Sequence, residues 1–138
     1  MLVVLDTNVL VAGLRSALGA SNALLQRAAK GDFHVAVSTA LALEYADVLG
    51  RPGLLPTYSP DTVDAFIDSF CAVAREAYIY FRWRPFLSDP GDDLILECAL
   101  AAGATHIVTH NIRDFRGADI FGISVLTPAQ FLSILPTP

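Results

Sequence analysis

The sequence predicts an α/β fold in which a mainly parallel sheet is sandwiched between helices. Short apolar runs of strand length alternate along the chain with segments whose apolar residues recur at helical spacing. Strands that alternate with helices in this way form parallel sheets covered by helices. The chain has 138 residues and no repeat, linker or low-complexity segment, so we expect a single domain over residues 1–138. Its apolar fraction of 54% is sufficient for a well-filled core.

The first elements follow directly from the apolar pattern. Residues 2–5 are a continuous apolar run, which is typical of a strand covered on both faces. A polar Asp-Thr-Asn break follows, and the apolar residues 9–11 then return the chain to the core. Apolar residues at helical spacing predict a helix over residues 21–30, and residues 33–37 predict a second strand.

The middle of the chain predicts two helices and a weaker strand. Ser38-Thr39 is a suitable cap for a helix that ends before Arg51. A Ser-Pro-Asp sequence at Ser59 predicts the start of another helix, because proline is favoured in the first turn. Residues 77–81 alternate loosely between apolar and polar, which predicts a third strand.

The last third of the chain repeats the alternation. Residues 89–92 read as a turn that leads into a strongly apolar helix over residues 94–102. Residues 106–109 and 123–126 predict two more strands, and residues 128–135 predict a terminal helix.

The composition predicts a cytoplasmic protein without a membrane segment. No apolar stretch reaches the roughly 18 residues of a membrane span. The N-terminus has no basic leader before its apolar run, so we expect no secretory signal. Cys71 and Cys98 both lie in apolar, helical segments, which favours buried thiols over a disulfide.

The charge balance argues against nonspecific nucleic-acid binding. The net charge is −5, whereas such binding depends on lysine and arginine. The arginines are nevertheless clustered, and guanidinium groups bind phosphate through two hydrogen bonds at once. These candidate substrate-binding residues are Arg82, Arg84, Arg113 and Arg116. The alternative is that they are solvated charges on loops.

Five of the 14 acidic residues occupy strand ends or mainly apolar positions, where a solvated charge has least reason to be. They are Asp6, Glu44, Asp92, Asp93 and Asp114. In open α/β sheets, sites form beyond the carboxyl ends of the strands. Asp6 directly follows the first strand, where a buried carboxylate has to be paired or bound to a metal.

Each acid also has an ordinary explanation when it is taken alone. Asp92 is a possible helix cap, and Asp93 is favoured by the positive end of the helix dipole. Glu44 is compatible with an exposed helix face, and Asp114 with a turn. Taken together, however, several carboxylates at one end of a sheet would repel each other unless a divalent cation lay among them.

Oxygen ligands without histidine or cysteine partners are typical of Mg²⁺ or Mn²⁺, which assist hydrolysis of phosphodiesters. Other chemistries lack their motifs: no glycine-rich phosphate loop follows the first strand, and there is no Gly-x-Ser-x-Gly elbow. A phosphatase with an aspartyl nucleophile would usually have a second aspartate where Asn8 stands. The three histidines are scattered. His110 beside Asn111 is one candidate for a substrate contact, although a loop histidine without a role is the favoured interpretation.

Three stretches resemble the PIN-domain family: LDTNVLVAG, DPGDDLILECALAAGATHIVTHNIRDF and SVLTPAQFL, together with Ser38 and Glu44 six residues later. More narrowly, they resemble its branch of VapC-like ribonucleases, the toxin components of toxin–antitoxin pairs. The resemblance implies a three-layer α/β/α sandwich and a ribonuclease that depends on Mg²⁺ or Mn²⁺. It also implies an RNA substrate, a homodimer and an antitoxin protein as partner.

The resemblance assigns roles to individual residues. Asp6, Glu44 and the acid that opens the apolar helix are implied to be metal ligands. Asp92 fits that last position best; Asp93 is the alternative ligand there or, with Glu97, part of an outer shell. Supporting roles fall to Thr7, Asn8, Ser38, Thr109 and Asn111. Asn111 departs from the family pattern, because many relatives have an aspartate there; Asp114 is the next candidate. Because of this departure, a non-catalytic scaffold that binds RNA or a protein partner is an open alternative. A DNA nuclease is a further alternative, because metal-assisted hydrolysis by water does not require the 2′-hydroxyl of RNA.

Overall fold

The computed structural model describes residues 1–80 and 86–137. Within them, the strands are β1 Leu2–Leu5, β2 His34–Ser38, β3 Arg75–Ala77, β4 His106–Val108 and β5 Ser124–Leu126. They form one sheet in the order β3-β2-β1-β4-β5, and every neighbouring pair is parallel. The predicted parallel α/β fold is therefore confirmed, and four of the five predicted strands agree with the structure to within one residue at each end.

Six α-helices in the described residues complete a three-layer α/β/α sandwich. They are α1 Thr7–Arg15, α2 Ala20–Ala29, α3 Thr39–Leu49, α4 Pro60–Val73, α5 Pro90–Ala102 and α6 Pro128–Ile134. Two short 3-10 turns, Ile112–Phe115 and Ala118–Phe121, join β4 to β5. No helix in these two described ranges is long and apolar enough to cross a membrane.

The core is centred on β1, the middle strand of the sheet, and on its neighbour β4. Val3, Val4 and Leu5 are fully buried, as are Ile107 and Val108 on the neighbouring strand. A parallel strand covered on both faces reads as a continuous apolar run, which is why the sequence identified β1 so clearly.

Helix α1 was not predicted. The sequence predicted only that the apolar residues 9–11 return the chain to the core, whereas the structure has a helix that begins directly after Asp6. The helix buries one face, formed by Thr7, Val9, Leu10 and Gly13. Its first turn contains β-branched residues of low helix propensity, so tertiary packing decides its conformation.

The strand predicted at residues 77–81 was misplaced. The observed strand β3 is Arg75–Ala77, and residues 78–80 lie outside it; residue 81 falls outside the described part of the chain. Ala77 is paired with Ser38, the last residue of β2. Because the chain turns into α3 after Ser38, there is no neighbouring backbone for a longer β3.

The strand order places a natural site between β1 and β4. From β1 the chain moves to β2 and β3 on one side, and it then returns to β4 and β5 on the other. At such a reversal the connections leave in opposite directions, which opens a crevice beyond the carboxyl ends of the two strands. Asp6 follows β1 and Thr109 follows β4, so both lie at this crevice.

Candidate active site

Asp6 and Thr109 are bonded to each other across the ends of β1 and β4. The backbone N–H of Asp6 donates to the carbonyl of Val108 at 2.9 Å, which continues the strand pairing by one residue. The Thr109 hydroxyl is fully buried and donates to Asp6 Oδ2 at 2.7 Å. The carboxylate is thereby held in one orientation at the head of helix α1.

Asn8 joins this pair to the loop after β4. Its Nδ2 donates to Thr109 Oγ1 at 3.4 Å, and its Oδ1 accepts from the backbone N–H of His110 at 3.3 Å. The His110 ring in turn lies 2.8 Å from the Ser21 hydroxyl on α2. The His110 side chain therefore connects this loop to α2, a structural contact that the sequence did not predict.

Helix α3 is fixed beneath Asp6 by Tyr45. The buried Tyr45 hydroxyl donates to the carbonyl of Leu5 at 2.5 Å, and burial raises its pKa well above the usual value, so it stays protonated. The preceding residue, Glu44, is half-buried and points toward the start of α5: a Cβ on Gly91 would lie 4.0 Å from Glu44 Oε1. Tyr45 was not identified from the sequence, where it reads as one more apolar residue.

Ser38 lies at the start of α3 and beside α5. Its hydroxyl accepts from the backbone N–H of Leu41 at 3.1 Å and so caps α3, as predicted. Burial raises the pKa of the Cys98 thiol on α5 to about 11, and the neighbouring Ser38 acts on that pKa in the opposite direction. Cys98 and the half-buried Cys71 are both free thiols, as predicted.

Helix α5 begins at Pro90, and the residues predicted as a turn, 89–92, are its N-cap and first turn. The N-cap is Asp89, whose Oδ1 accepts from the backbone N–H of Gly91 at 2.8 Å. The alternative in which Asp92 caps this helix is therefore wrong. The capping role of Asp89 was not predicted, although an aspartate directly before a proline is a recognisable capping signal.

The pKa of Asp92 shows the effect of nearby acids. Its pKa is raised to about 7, first by burial and then by the charges of Asp6, Asp89, Asp114 and Asp93. The pKa of Asp6 is also raised, first by burial, with a smaller contribution from Asp114. The Thr109 hydroxyl and the backbone amides of Thr7 and Asn8 act on Asp6 in the opposite direction. The carboxylates of Asp6, Asp92 and Asp114 therefore share one electrostatic environment.

Asp93 is used differently from Asp92. It is 2% exposed, and its Oδ1 accepts from the backbone N–H of Leu87 at 2.9 Å, which ties the segment before α5 to the helix. Glu97, one turn later, is also buried and engaged in an interaction.

The residues after β4 approach the acids from the other side. The Asn111 backbone N–H donates to Thr109 Oγ1 at 3.0 Å. Asp114, Arg113 and Arg116 are exposed on and just after the first 3-10 turn. The other two predicted arginines, at positions 82 and 84, lie outside the described residues.

The carboxylate oxygens at this edge of the sheet are of the kind that bind a hard divalent cation, but they do not form a complete set of metal ligands in the described residues. In the described ranges, no three His, Cys, Asp or Glu side chains are grouped so that they could hold a metal ion. The carboxylates nevertheless raise one another's pKa, and a bound cation would offset that repulsion. Oxygen donors of this kind are those that Mg²⁺ and Mn²⁺ prefer.

Known structures with the same fold include three VapBC complexes. The first is VapBC2 from Rickettsia felis bound to a promoter DNA fragment, with 18% sequence identity and a TM-score of 0.63. The second is DNA-bound VapBC from Salmonella typhimurium, with 16% sequence identity and a TM-score of 0.63. The third is VapBC-1 from nontypeable Haemophilus influenzae, with 16% sequence identity and a TM-score of 0.60. The similarity covers 92%, 93% and 94% of this chain and 98%, 99% and 99% of the matched chains, respectively. At these identities the similarity demonstrates the fold alone.

At the level of sequence, no curated protein matches the chain. A family model described as the PIN domain matches residues 2–113, which include β1 through β4 and the polar residues that follow them. The chain belongs to the PIN-domain family.

Proposed function

We propose that this protein is an endoribonuclease that hydrolyses RNA phosphodiester bonds with the aid of Mg²⁺ or Mn²⁺. The observation that carries the proposal is the position of three acids: Asp6 directly follows β1, Asp92 lies in the first turn of α5, and Glu44 faces the start of α5. Burial and the charges of nearby carboxylates raise the pKa of Asp92. A divalent cation would stabilise such mutually repelling carboxylates. Membership of the PIN-domain family supports a nuclease function.

Asp6, Glu44 and Asp92 would hold the cation, with Asp93 and Asp114 adding negative charge around it. When bound, the cation would supply positive charge that stabilises the phosphate in the transition state and promotes ionisation of the attacking water. Thr109 keeps the Asp6 carboxylate oriented through its hydrogen bond of 2.7 Å. Thr7, Asn8, Ser38 and Asn111 are proposed to support the same arrangement.

We assign proton acceptance from the attacking water to Asp114. It is exposed, whereas Asp6, Glu44 and Asp92 are half-buried, so water and substrate reach it most directly. Asp114 is also the first acid in the sequence after β4, since the earlier candidate position holds the uncharged Asn111.

The direct test is cleavage of a panel of RNAs with Mn²⁺ and, in parallel, with a chelator. We expect cleavage only with the metal, and we expect Asp6→Asn to abolish it without unfolding the protein. Asp68→Asn, which removes an exposed carboxylate from α4, is the matched control. Retained metal-dependent cleavage by a well-folded, nuclease-free Asp6→Asn sample would contradict the proposal.

The preference for RNA follows from the family resemblance and needs its own experiment. Hydrolysis by water does not require the 2′-hydroxyl, so a DNA nuclease would use the same acids. Single-stranded DNA of matched sequence in the same panel distinguishes the two, and we expect RNA to be cleaved faster.

A second candidate function is a non-catalytic scaffold that binds RNA or a protein partner. Asn111 in place of an acid favours it, as does the absence of a closed carboxylate cage in the described residues. Calorimetric titration with Mn²⁺ separates the two functions, because a nuclease must bind the ion at this site and a scaffold need not.

We further propose that the protein is the toxin of a toxin–antitoxin pair, acts in the cytoplasm and forms a homodimer. The similarity of its fold to proteins crystallised as VapBC complexes supports an antitoxin partner. Induced expression should arrest growth, Asp6→Asn should relieve the arrest, and sedimentation equilibrium should give twice the chain mass of 14.8 kDa.

A further inference from the structure

A cleft of about 320 Å³ lies directly beside the acids. Its walls are formed by Phe86, Leu87, Ser88, Arg113, Asp114 and Arg116. Asp114 belongs to both places, because it lines the cleft and its charge acts on Asp6 and Asp92. A strand whose backbone crosses the acids can therefore continue into this cleft.

Arg113 and Arg116 give the cleft positive charge next to the acids. Both are exposed, and the ion pairs in the described part of the chain, Arg27–Asp32 and Arg51–Asp47, involve neither of them. In a protein of net charge −5, two guanidinium groups on one cleft are a local exception. Guanidinium groups bind phosphate oxygens through paired hydrogen bonds.

Phe86 provides an aromatic surface in the same cleft. One side of its ring packs against Phe121, with ring centroids 5.3 Å apart at an angle of 61°. The ring also approaches Gly117, where a Cβ would lie 3.4 Å from both Phe86 Cε2 and Cζ. Phe86 remains 40% exposed although it is supported on these sides. A supported and exposed ring is suited to stack on a nucleobase.

We propose that this cleft binds the nucleotide next to the scissile phosphate of a single-stranded RNA, with Arg113 and Arg116 on its phosphate and Phe86 stacked on its base. The identification of the strand as RNA rests on the proposed function. A duplex does not fit this subsite, because its bases are stacked on each other and cannot reach Phe86.

The test measures binding by fluorescence anisotropy of a short labelled oligouridylate in the presence of chelator, so that nothing is cleaved. Arg113→Gln and Arg116→Gln should each weaken binding. The plot of log affinity against log salt concentration has a negative slope, and each variant should make it less steep by about 0.7 for each phosphate that the protein no longer neutralises. Arg75→Gln is the charge-matched control, because Arg75 is exposed at the amino end of edge strand β3, away from the acids. It should leave the slope unchanged.

The aromatic contribution is tested separately. Phe86→Leu should weaken binding by about 5-fold or more, the lower end expected when one base is no longer stacked, without changing the salt slope. Phe86→Tyr should retain binding. Tyr58→Leu removes a partly exposed ring in another cavity, next to Leu49 and Pro60, and should have no effect. All the substituted side chains are partly or fully exposed, and unchanged thermal melts verify that each variant is folded.

Unchanged affinity in all three cleft variants would overturn the subsite, as would equal binding of duplex RNA. Tighter binding of oligodeoxythymidylate would overturn its assignment to RNA. The experiment is independent of cleavage. Unchanged affinities in a protein whose wild type cleaves RNA would refute only the subsite, whereas arginine-dependent binding without any cleavage would refute only the nuclease function.

Discussion

At the scale of single residues, the Thr109 hydroxyl connects three parts of the candidate site. Its hydroxyl donates to Asp6 and accepts from the amides of Asn8 and Asn111. One buried oxygen therefore orients a carboxylate and two segments of chain. From the sequence Thr109 is only a supporting residue, because a threonine at the end of a strand is common and its partner is distant in sequence.

We expect Thr109→Val to lower cleavage activity and to destabilise the protein by about 1–3 kcal/mol, because it leaves buried polar groups without a partner. The pKa of Asp6 should rise further, since the Thr109 hydroxyl now lowers it. Thr109→Ser keeps the hydroxyl and should preserve most of both properties. Chemical denaturation and cleavage assays measure the two effects; equal behaviour of the valine and serine variants would contradict the role given to the hydroxyl.

At the scale of elements, the site depends on where α3 and α5 begin. Ser38 starts α3 and Asp89 starts α5, and the two helices bring Glu44 and Asp92 to the same end of the sheet. The Tyr45 hydroxyl joins α3 to the last carbonyl of β1. Small errors in these helix starts would displace the acids, because each residue rotates a helix by about 100°.

Two substitutions of Asp89 distinguish its role as a helix cap from the effect of its charge on Asp92. Asp89→Asn keeps the capping oxygen but removes a charge, so we expect nearly unchanged stability and a lower pKa for Asp92. Asp89→Ala removes both, and should cost about 0.5–2 kcal/mol in the free energy of unfolding in addition to the same pKa change. Carboxyl-detected NMR titration and thermal denaturation measure the two effects. A pKa of Asp92 that stays near 7 in both variants would contradict this account.

Tyr45→Phe is a test of how α3 is held. The substitution leaves the buried carbonyl of Leu5 without its donor, so we expect a loss of about 1–3 kcal/mol of stability. Activity should fall as well, because Glu44 is the residue directly before Tyr45 in the helix. Phe70→Leu, which changes a ring that packs against Tyr45 without touching the hydrogen bond, is the packing control.

At the scale of the whole molecule, the metal-free protein should be less stable at neutral pH than in mild acid because of its crowded acids. The pKa of Asp92 is 3.8 in an ordinary environment and about 7 here. A carboxyl whose pKa is raised on folding contributes stability that is present below the lower value and is lost as the pH rises through the higher one. The raised pKa of Asp6 acts in the same sense.

The expected result is a Tm that falls between about pH 4 and about pH 7 in chelator, and that Mn²⁺ raises more at about pH 8 than at about pH 5. His106 acts in the opposite sense, because burial lowers its pKa. The difference between wild type and Asp92→Asn isolates the contribution of Asp92, and this difference should shrink as the pH falls below about 4. A pH-independent difference would be inconsistent with the proposed repulsion.

The sequence predicted most of the fold because its central strands are short apolar runs and helices α3 and α4 begin at recognisable caps. The strands predicted from the apolar runs also put Asp6 and the residues after β4 directly behind strand ends, where the structure has them; that the acids there form a metal site stays a prediction. The sequence could not predict α1, whose first residues resemble a strand, or the end of β3, which depends on the length of its neighbour. The contacts of Thr109, Tyr45 and Phe86 depend on partners far apart in sequence, which no local pattern encodes.

The pairing of β1 with β4 also sets the order in which the site can be completed. Asp6 is synthesised before Thr109, its hydroxyl partner, which follows 103 residues later. Strand β1 can pair with β2 early, while its other edge stays open until β4 has been made. A growing chain therefore carries Asp6 without the threonine that orients it until β4 and the residue after it have been made.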